Sequence, residues 1–249
     1  MMNRILLPAF IVVGFIILYT NLYPIAEEKD RFYYEEKGYV LWDVKTQEKV
    51  VALTFDDGPH PEYTAQILDI LDRFDAKATF FVLGQHAEKY PELIRREFEE
   101  GHEIANHTYT HGQFITIKQL EKELIKTNEI LYGITGVYPS LFRPVGGNYN
   151  ERLINAAIAQ DFKVIMWSWH QDTEDWKQPG VNKIVKKVLH GAKPGDVILF
   201  HDAGGNRSQT VEALLEILPE LKKQGYEFVT ISELLNKNEA EVSAGEENK

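Results

Sequence analysis

From Val50 onward the chain alternates short apolar runs with segments of helical period. Runs of strand character are Val50–Phe55, Ala78–Leu83, His102–Ala105, Leu141–Arg143, Lys163–Trp167, Asp196–Phe200 and Glu227–Ile231. Between them, Tyr63–Phe74, Pro91–Glu100, Ile117–Tyr132, Glu151–Gln160, Val181–His190 and Ser208–Gln224 repeat apolar residues with the spacing of an amphipathic helix. Strands alternating with helices predict right-handed βαβ units. The expected fold is α/β: a parallel sheet curled into a single distorted (β/α)7 barrel. In such barrels chemistry gathers at the C-terminal ends of the strands.

Both ends of the chain depart from this pattern. Arg4 precedes a run from Ile5 to Tyr23 that carries no charge, and Glu27-Glu28-Lys29-Asp30-Arg31 closes it. That run is long enough to cross a bilayer, and the positive start places the N-terminus inside and the rest outside. Residues 1–25 are therefore expected to form an N-terminal hydrophobic anchor helix at the cell membrane, with the remaining chain outside the cytoplasm. A cleaved signal is the alternative and would make the protein secreted, but Asn21-Leu22-Tyr23-Pro24-Ile25-Ala26 offers a poor cleavage site. Residues 26–47 are charged and aromatic without period and read as a stem. Residues 48–236 form the folded domain. Residues 237–249, acidic and without an aromatic, read as a disordered tail.

Composition narrows the chemistry. The 249 residues carry a net charge of -11, which argues against a nucleic-acid-binding surface. There is no cysteine, so disulfides, a thiolate zinc site and a cysteine nucleophile are excluded. His, Asp and Glu remain as metal ligands.

Unusual polar residues then fall at strand ends. Asp56-Asp57 follows an apolar run and is stopped by Gly58-Pro59. Adjacent buried carboxylates raise each other's pKa, and a cation would remove that cost. A surface turn is the bland reading of these four residues alone. His107 and His111 stand four apart, which on one helical turn would put both imidazoles on one face. Joined to Asp57 they make three ligands with an open position, the catalytic zinc pattern, which would also accept cobalt or another divalent ion. Arg143 is expected to orient whichever aspartate is not a ligand. His201 ends another strand, and Asp175-Trp176 follows a fifth.

Thr54-Phe55-Asp56-Asp57-Gly58-Pro59, His107-Thr108-Tyr109-Thr110-His111, Phe142-Arg143-Pro144, Asp172-Thr173-Glu174-Asp175-Trp176 and Leu199-Phe200-His201 resemble, in order and separation, the five motifs of the polysaccharide deacetylase family, carbohydrate esterase family four. The resemblance covers residues 48 to 236. It implies a distorted seven-stranded barrel that removes acetyl groups from sugars with a bound divalent metal. By motif, Asp57, His107 and His111 would hold the metal and Asp56 would be the general base, held by Arg143. His201 would be the general acid, oriented by Asp175. Trp176 and Leu199 would line the pocket for the acetyl methyl. One motif departs: the family's arginine motif usually continues Pro-Pro-aromatic-Gly, whereas here Val145-Gly146 follows Pro144. Gly146 can offer an oxyanion N–H but no aromatic wall, and it is expected to loosen the loop.

Resemblance and topology together imply N-deacetylation of a cell-envelope glycan, peptidoglycan first. Chitooligosaccharide or a secreted poly-N-acetylglucosamine is the runner-up, and a non-sugar amidase is a third reading. A non-catalytic sugar-binding module would be signalled by loss of Asp56 or His201, and both are present.

Overall fold

Strand β2 (Val50–Asp56) is buried along its whole length, and its two faces serve different layers. Val51, Leu53 and Phe55 pack outward with Ile67 and Leu71 of helix α2 (Tyr63–Arg73) and Ile217 and Leu218 of α8 (Ser208–Lys223). Val50 and Ala52 pack inward with Phe81, Ala105, Ile165 and Val197 from neighbouring strands. A strand covered on both sides reads as a continuous apolar run, which is how this one reads. Phe55 stacks between Phe80 and Phe200 at centroid distances of 5.1 and 5.6 Å. Truncating such a ring to alanine costs about 3–5 kcal/mol.

The computed structural model describes residues 29–112 and 116–237. With β1 (Val40–Leu41), β3 (Ala78–Val82), β4 (Glu103–Asn106), β5 (Leu141–Phe142), β6 (Lys163–Ile165), β7 (Val197–His201) and β8 (Glu227–Phe228), β2 builds an α/β half-barrel of parallel strands. The order is β1-β6-β5-β4-β3-β2-β7, with β8 paired to the first residues of β2. Isolated contacts cross the seam beside β7: Ser168 N–H donates to Val197 C=O at 3.0 Å, and Asp172 bridges Leu199. The remaining helices are α1 (Arg31–Glu36), α3 (Gly84–Lys89), α4 (Pro91–Glu99), α5 (Ile117–Thr135), α6 (Glu151–Ile158) and α7 (Val181–Gly191). Helix α5 starts at a capping box between Thr116 and Gln119 and stops at Gly136 in the left-handed region.

Three expectations need correction. Residues 31–44 are not a stem. They form α1 and β1, pair Val40 with Val164 and Leu41 with Ile165, and bury Tyr34, Trp42 and Val44. The last strand stops at Phe228, and helix α3 was not anticipated. The expected anchor (residues 1–25) lies outside the described residues, as does the tail apart from Lys237. No helix among the described residues is long and apolar enough to cross a membrane.

Candidate active site

Parallel register brings the chemistry to one rim. Asp56 ends β2 opposite His201, which ends β7, and one layer below Thr54 lies opposite Leu199. Partners on parallel strands point the same way, so Asp56, His201, Thr54 and Leu199 share the inner face. Asn106 ends β4 opposite Phe142 of β5, which delivers His107 and Arg143 beside each other.

Asp57 is 8% exposed and lies just past β2 with φ 77°. Its Oδ1 sits 3.1 Å from His111 Nε2 and 3.6 Å from His107 Nε2, and one ligand atom from each residue lies within 4.8 Å of the others. That oxygen is buried yet makes no well-aligned hydrogen bond. An orphaned carboxylate oxygen facing two imidazole nitrogens fits a divalent cation. His107 Nδ1–H donates to the Arg143 carbonyl at 2.7 Å, which turns the Nε2 lone pair toward Asp57. Burial lowers the His107 pKa and so favours the neutral, ligating form. The Asp57 carboxylate beside it raises that of His111, against burial. Burial would push the Asp57 carboxyl up, but His111, His107 and His201 together hold it well below the usual carboxylate range.

His107 and His111 do not share a helical turn. The segment between them is a loop, with Thr108 at φ 73° and His111 at φ 59°. His107 is buried, while the His111 side chain is 41% exposed and forms the open side of the cluster.

Arg143 is fully buried. One of its Nη atoms donates to Asp56 Oδ1 at 2.7 Å and to Thr54 Oγ1 at 2.9 Å, and Nε and the other Nη donate to the carbonyls of Ile165 and Met166. Its guanidinium lies 4.0 Å over the Phe81 ring. All three guanidinium nitrogens are bonded, so Asp56 is held in one place. On the other flank, His201 Nδ1 lies 2.7 Å from Asp175 Oδ1. The His201 backbone N–H and Thr210 Oγ1 donate to Asp175 Oδ2 at 2.9 and 2.7 Å. Burial works against a charged His201, but the Asp175 carboxylate outweighs it and lifts the pKa to about 9.

The structure brings Asp56, Asp57, His107, His111, Arg143, Asp175, His201 and Leu199 together. Trp176 stays 51% exposed beside Lys177. Gly146 lies in a tight turn at φ 62°, closed by Gly147 N–H to Pro144 C=O and Asn148 N–H to Val145 C=O, so the loop is not loose. Trp167, which the sequence did not single out, lies against this turn: a Cβ on Gly147 would meet its ring at 2.5 Å. An aromatic ending a strand run was the available signal. Asp202 ends the same strand run as His201 but carries no role in the sequence pattern. It is fully buried, accepts from Thr64 Oγ1 at 2.5 Å and lies so close to Gly58 that a Cβ there would sit 2.1 Å from its Oδ2. Burial, aided by the charges of Asp57 and Asp56, lifts its pKa to about 7.

Polysaccharide deacetylase is the family that matches residues 43–165. A peptidoglycan-N-acetylglucosamine deacetylase of Bacillus cereus is 47% identical over 203 residues, covering 81% of this chain and 95% of that protein. The crystal structure of a peptidoglycan N-acetylglucosamine deacetylase in complex with 4-naphthalen-1-yl-N-oxidanyl-benzamide superposes with a TM-score of 0.79 at 40% identity, over 82% of this chain and 96% of that one. A family 4 acetyl xylan esterase from Clostridium thermocellum in complex with a cobalt ion gives 0.71 at 36% identity, over 76% of this chain and 91% of that one. With the cluster and its two flanking pairs in place, this chain belongs to the polysaccharide deacetylase family.

Proposed function

We propose that the chain is a metal-dependent N-deacetylase of peptidoglycan that releases acetate. The observation that carries this reading is one three-ligand cluster flanked by two opposed proton carriers, Asp56 on Arg143 and His201 on Asp175. Asp57, His107 and His111 would hold a divalent ion, zinc first and cobalt or another divalent ion as the alternative, which would supply Lewis acidity to the acetyl carbonyl and to water. Asp56 keeps Oδ1 on Arg143 and presents Oδ2 toward the cluster, 3.9 Å from His107 Nε2, where it can take the proton of an attacking water. His201 has Nδ1 committed to Asp175, which leaves Nε2 to protonate the departing sugar nitrogen. The Gly146 N–H is not used in closing its own turn and is offered to the oxyanion. Leu199, one layer below His201, and Trp176 at the rim bound the acetyl methyl.

The half-barrel reads more finely as a distorted (β/α)7 barrel. Residues 1–25 anchor it in the cell membrane with the catalytic rim outside the cytoplasm, where an acetylated glycan is the partner. Relatives named for peptidoglycan substrates support that choice. The test is mass spectrometry of muropeptides and, in parallel, chitooligosaccharides after incubation with the metal-loaded chain. Loss of one acetyl group from muropeptides is expected. A folded, metal-loaded chain that deacetylates neither substrate overturns the reading.

A further inference from the structure

One helix holds the loop between the two histidines at both ends. From α5, Leu124 C=O and Asn128 Oδ1 accept from Asn106 Nδ2 at 3.0 and 2.8 Å, and Asn106 Oδ1 in turn accepts from the Thr108 N–H at 2.8 Å. From the residue just before Leu124, Glu123 Oε2 accepts from the backbone N–H groups of both Tyr109 and Thr110, at 2.9 and 2.7 Å. The same carboxylate takes the Thr110 hydroxyl, and Lys126 Nζ lies 3.3 Å over the Tyr109 ring.

This loop needs holding. Thr108 and His111 both sit in the left-handed region, which non-glycine residues occupy only where the surroundings over-determine it. The two ligands differ in what fixes them. His107 is buried and tied to the Arg143 carbonyl. The His111 side chain is 41% exposed, and among the described residues its backbone N–H reaches only Thr108 Oγ1, at 3.3 Å. Its place beside Asp57 therefore depends on the backbone just before it: Gly84 and Gln85 N–H donate to the Thr108 and Tyr109 carbonyls at 2.9 and 3.1 Å, and Glu123 alone takes the Tyr109 and Thr110 N–H groups nearest His111.

We propose that Glu123 is a positioning residue for the metal cluster: its carboxylate clamps the backbone at Tyr109 and Thr110 and so sets the His111 imidazole against Asp57. This rests on reading Asp57, His107 and His111 as a metal site. Glu123 touches neither the ion nor the substrate. It acts through two charge-assisted hydrogen bonds to main chain, which a water could replace only without their fixed geometry.

The test is metal binding, independent of turnover. The full chain, stripped with a chelator, is titrated with zinc in competition with a chromophoric chelator, and its cobalt form is followed by visible absorption. Glu123→Ala is expected to weaken zinc binding about 10–100-fold and to shift the cobalt spectrum toward that of His111→Ala. Glu123→Gln keeps an accepting oxygen and should recover most of the affinity. Thermal unfolding of the metal-free variants separates loss of the site from loss of the fold. If Glu123→Ala does not fold, Glu123→Asp, which keeps the charge but shortens the reach, takes its place. Unchanged zinc affinity with an unchanged cobalt spectrum in the folded variant overturns the clamp. A parent chain that binds neither ion, with His107→Ala behaving identically, overturns the metal site itself and the clamp with it.

Discussion

His201 and Asp175 are joined twice: the imidazole Nδ1 meets Oδ1 at 2.7 Å, and the His201 backbone N–H donates to Oδ2 at 2.9 Å. The side chain and main chain of one residue are thus fixed by a single buried carboxylate, which itself needs Thr210 to complete its shell. This pairing keeps the imidazole charged through neutral pH, with its pKa lifted to about 9. An acid must be protonated to act, so kcat should hold below that value and fall as pH rises through it. In Asp175→Asn the falling limb should move down toward the ordinary histidine value near 6.5. A pH–rate profile checks this, and an unmoved limb in the variant would assign the acid elsewhere.

Asp56 and Asp57 are neighbours in sequence with separate tasks. Asp56→Asn should retain metal, because Asp57, His107 and His111 are untouched, yet lower the rate by about 10²–10⁴-fold. Metal content and turnover measured on one preparation decide this. A variant that loses its metal would exchange the roles of the two aspartates.

Arg143 carries a different consequence. It is fully buried against Asp56, and removing one partner of such a pair leaves an uncompensated charge. Arg143→Ala should lower stability by about 3–5 kcal/mol, and Arg143→Lys should restore little, since a single ammonium cannot reproduce the fork of donors. Urea denaturation of the two variants measures both effects, and a lysine variant as stable as the parent would contradict it.

Gly146 at φ 62° makes its turn selective. A Cβ there would approach only the Asn148 side chain, at 3.1 Å, so strain comes from the backbone and not from crowding. Gly146→Ala should cost about 1–2 kcal/mol, and Gly146→Tyr should share that loss and gain no useful aromatic wall. Gly146→Asn should be milder, because asparagine tolerates the left-handed region. Thermal melting of the three variants gives the order, and an alanine variant as stable as the asparagine one would contradict it.

Asp202 links pH to stability. Its folded pKa is lifted from 3.8 to about 7, chiefly by burial. Between those values the native state keeps a proton that the unfolded chain has released, so stability falls as pH rises across the window. Asp202→Asn mimics the protonated form. With a chelator present, its Tm should match the parent's at pH 4–5 and exceed it by several degrees at pH 8, since about 1 kcal/mol moves Tm by about 2–4 °C in a domain this size. Parallel Tm–pH curves for parent and variant would contradict this.

Much of the site was legible because parallel strands end on one rim, so a polar residue closing an apolar run announces its position. Asp56, Arg143 and His201 were readable in that way. The histidine loop was misread as a helical turn because its backbone is set by partners outside the segment, Gly84, Gln85 and Glu123, which local spacing does not encode. Asp202 and Glu123 look like ordinary surface acids in sequence, and only the packing of α2 and α5 gives them work. Residues 31–44 escaped because α1 is short and β1 contributes two residues whose partner, β6, lies more than a hundred positions later. Their aromatic residues carry no period, yet Trp42 is fully buried.

That opening segment also decides from which side the chain enters the fold. Lys29 pairs with Glu151 at 2.5 Å, and Arg31 lies between the Trp42 and Trp169 rings at 5.1 Å from each, all of them past the C-terminal ends of strands. The polypeptide therefore arrives at the rim that carries the site and not at the opposite pole of the half-barrel. On the proposed membrane placement, only three residues separate the anchor from Lys29, a reach of at most about 11 Å. A tether that short would keep the mouth grazing close to the bilayer, so that the glycan nearest the membrane would be the stretch within reach.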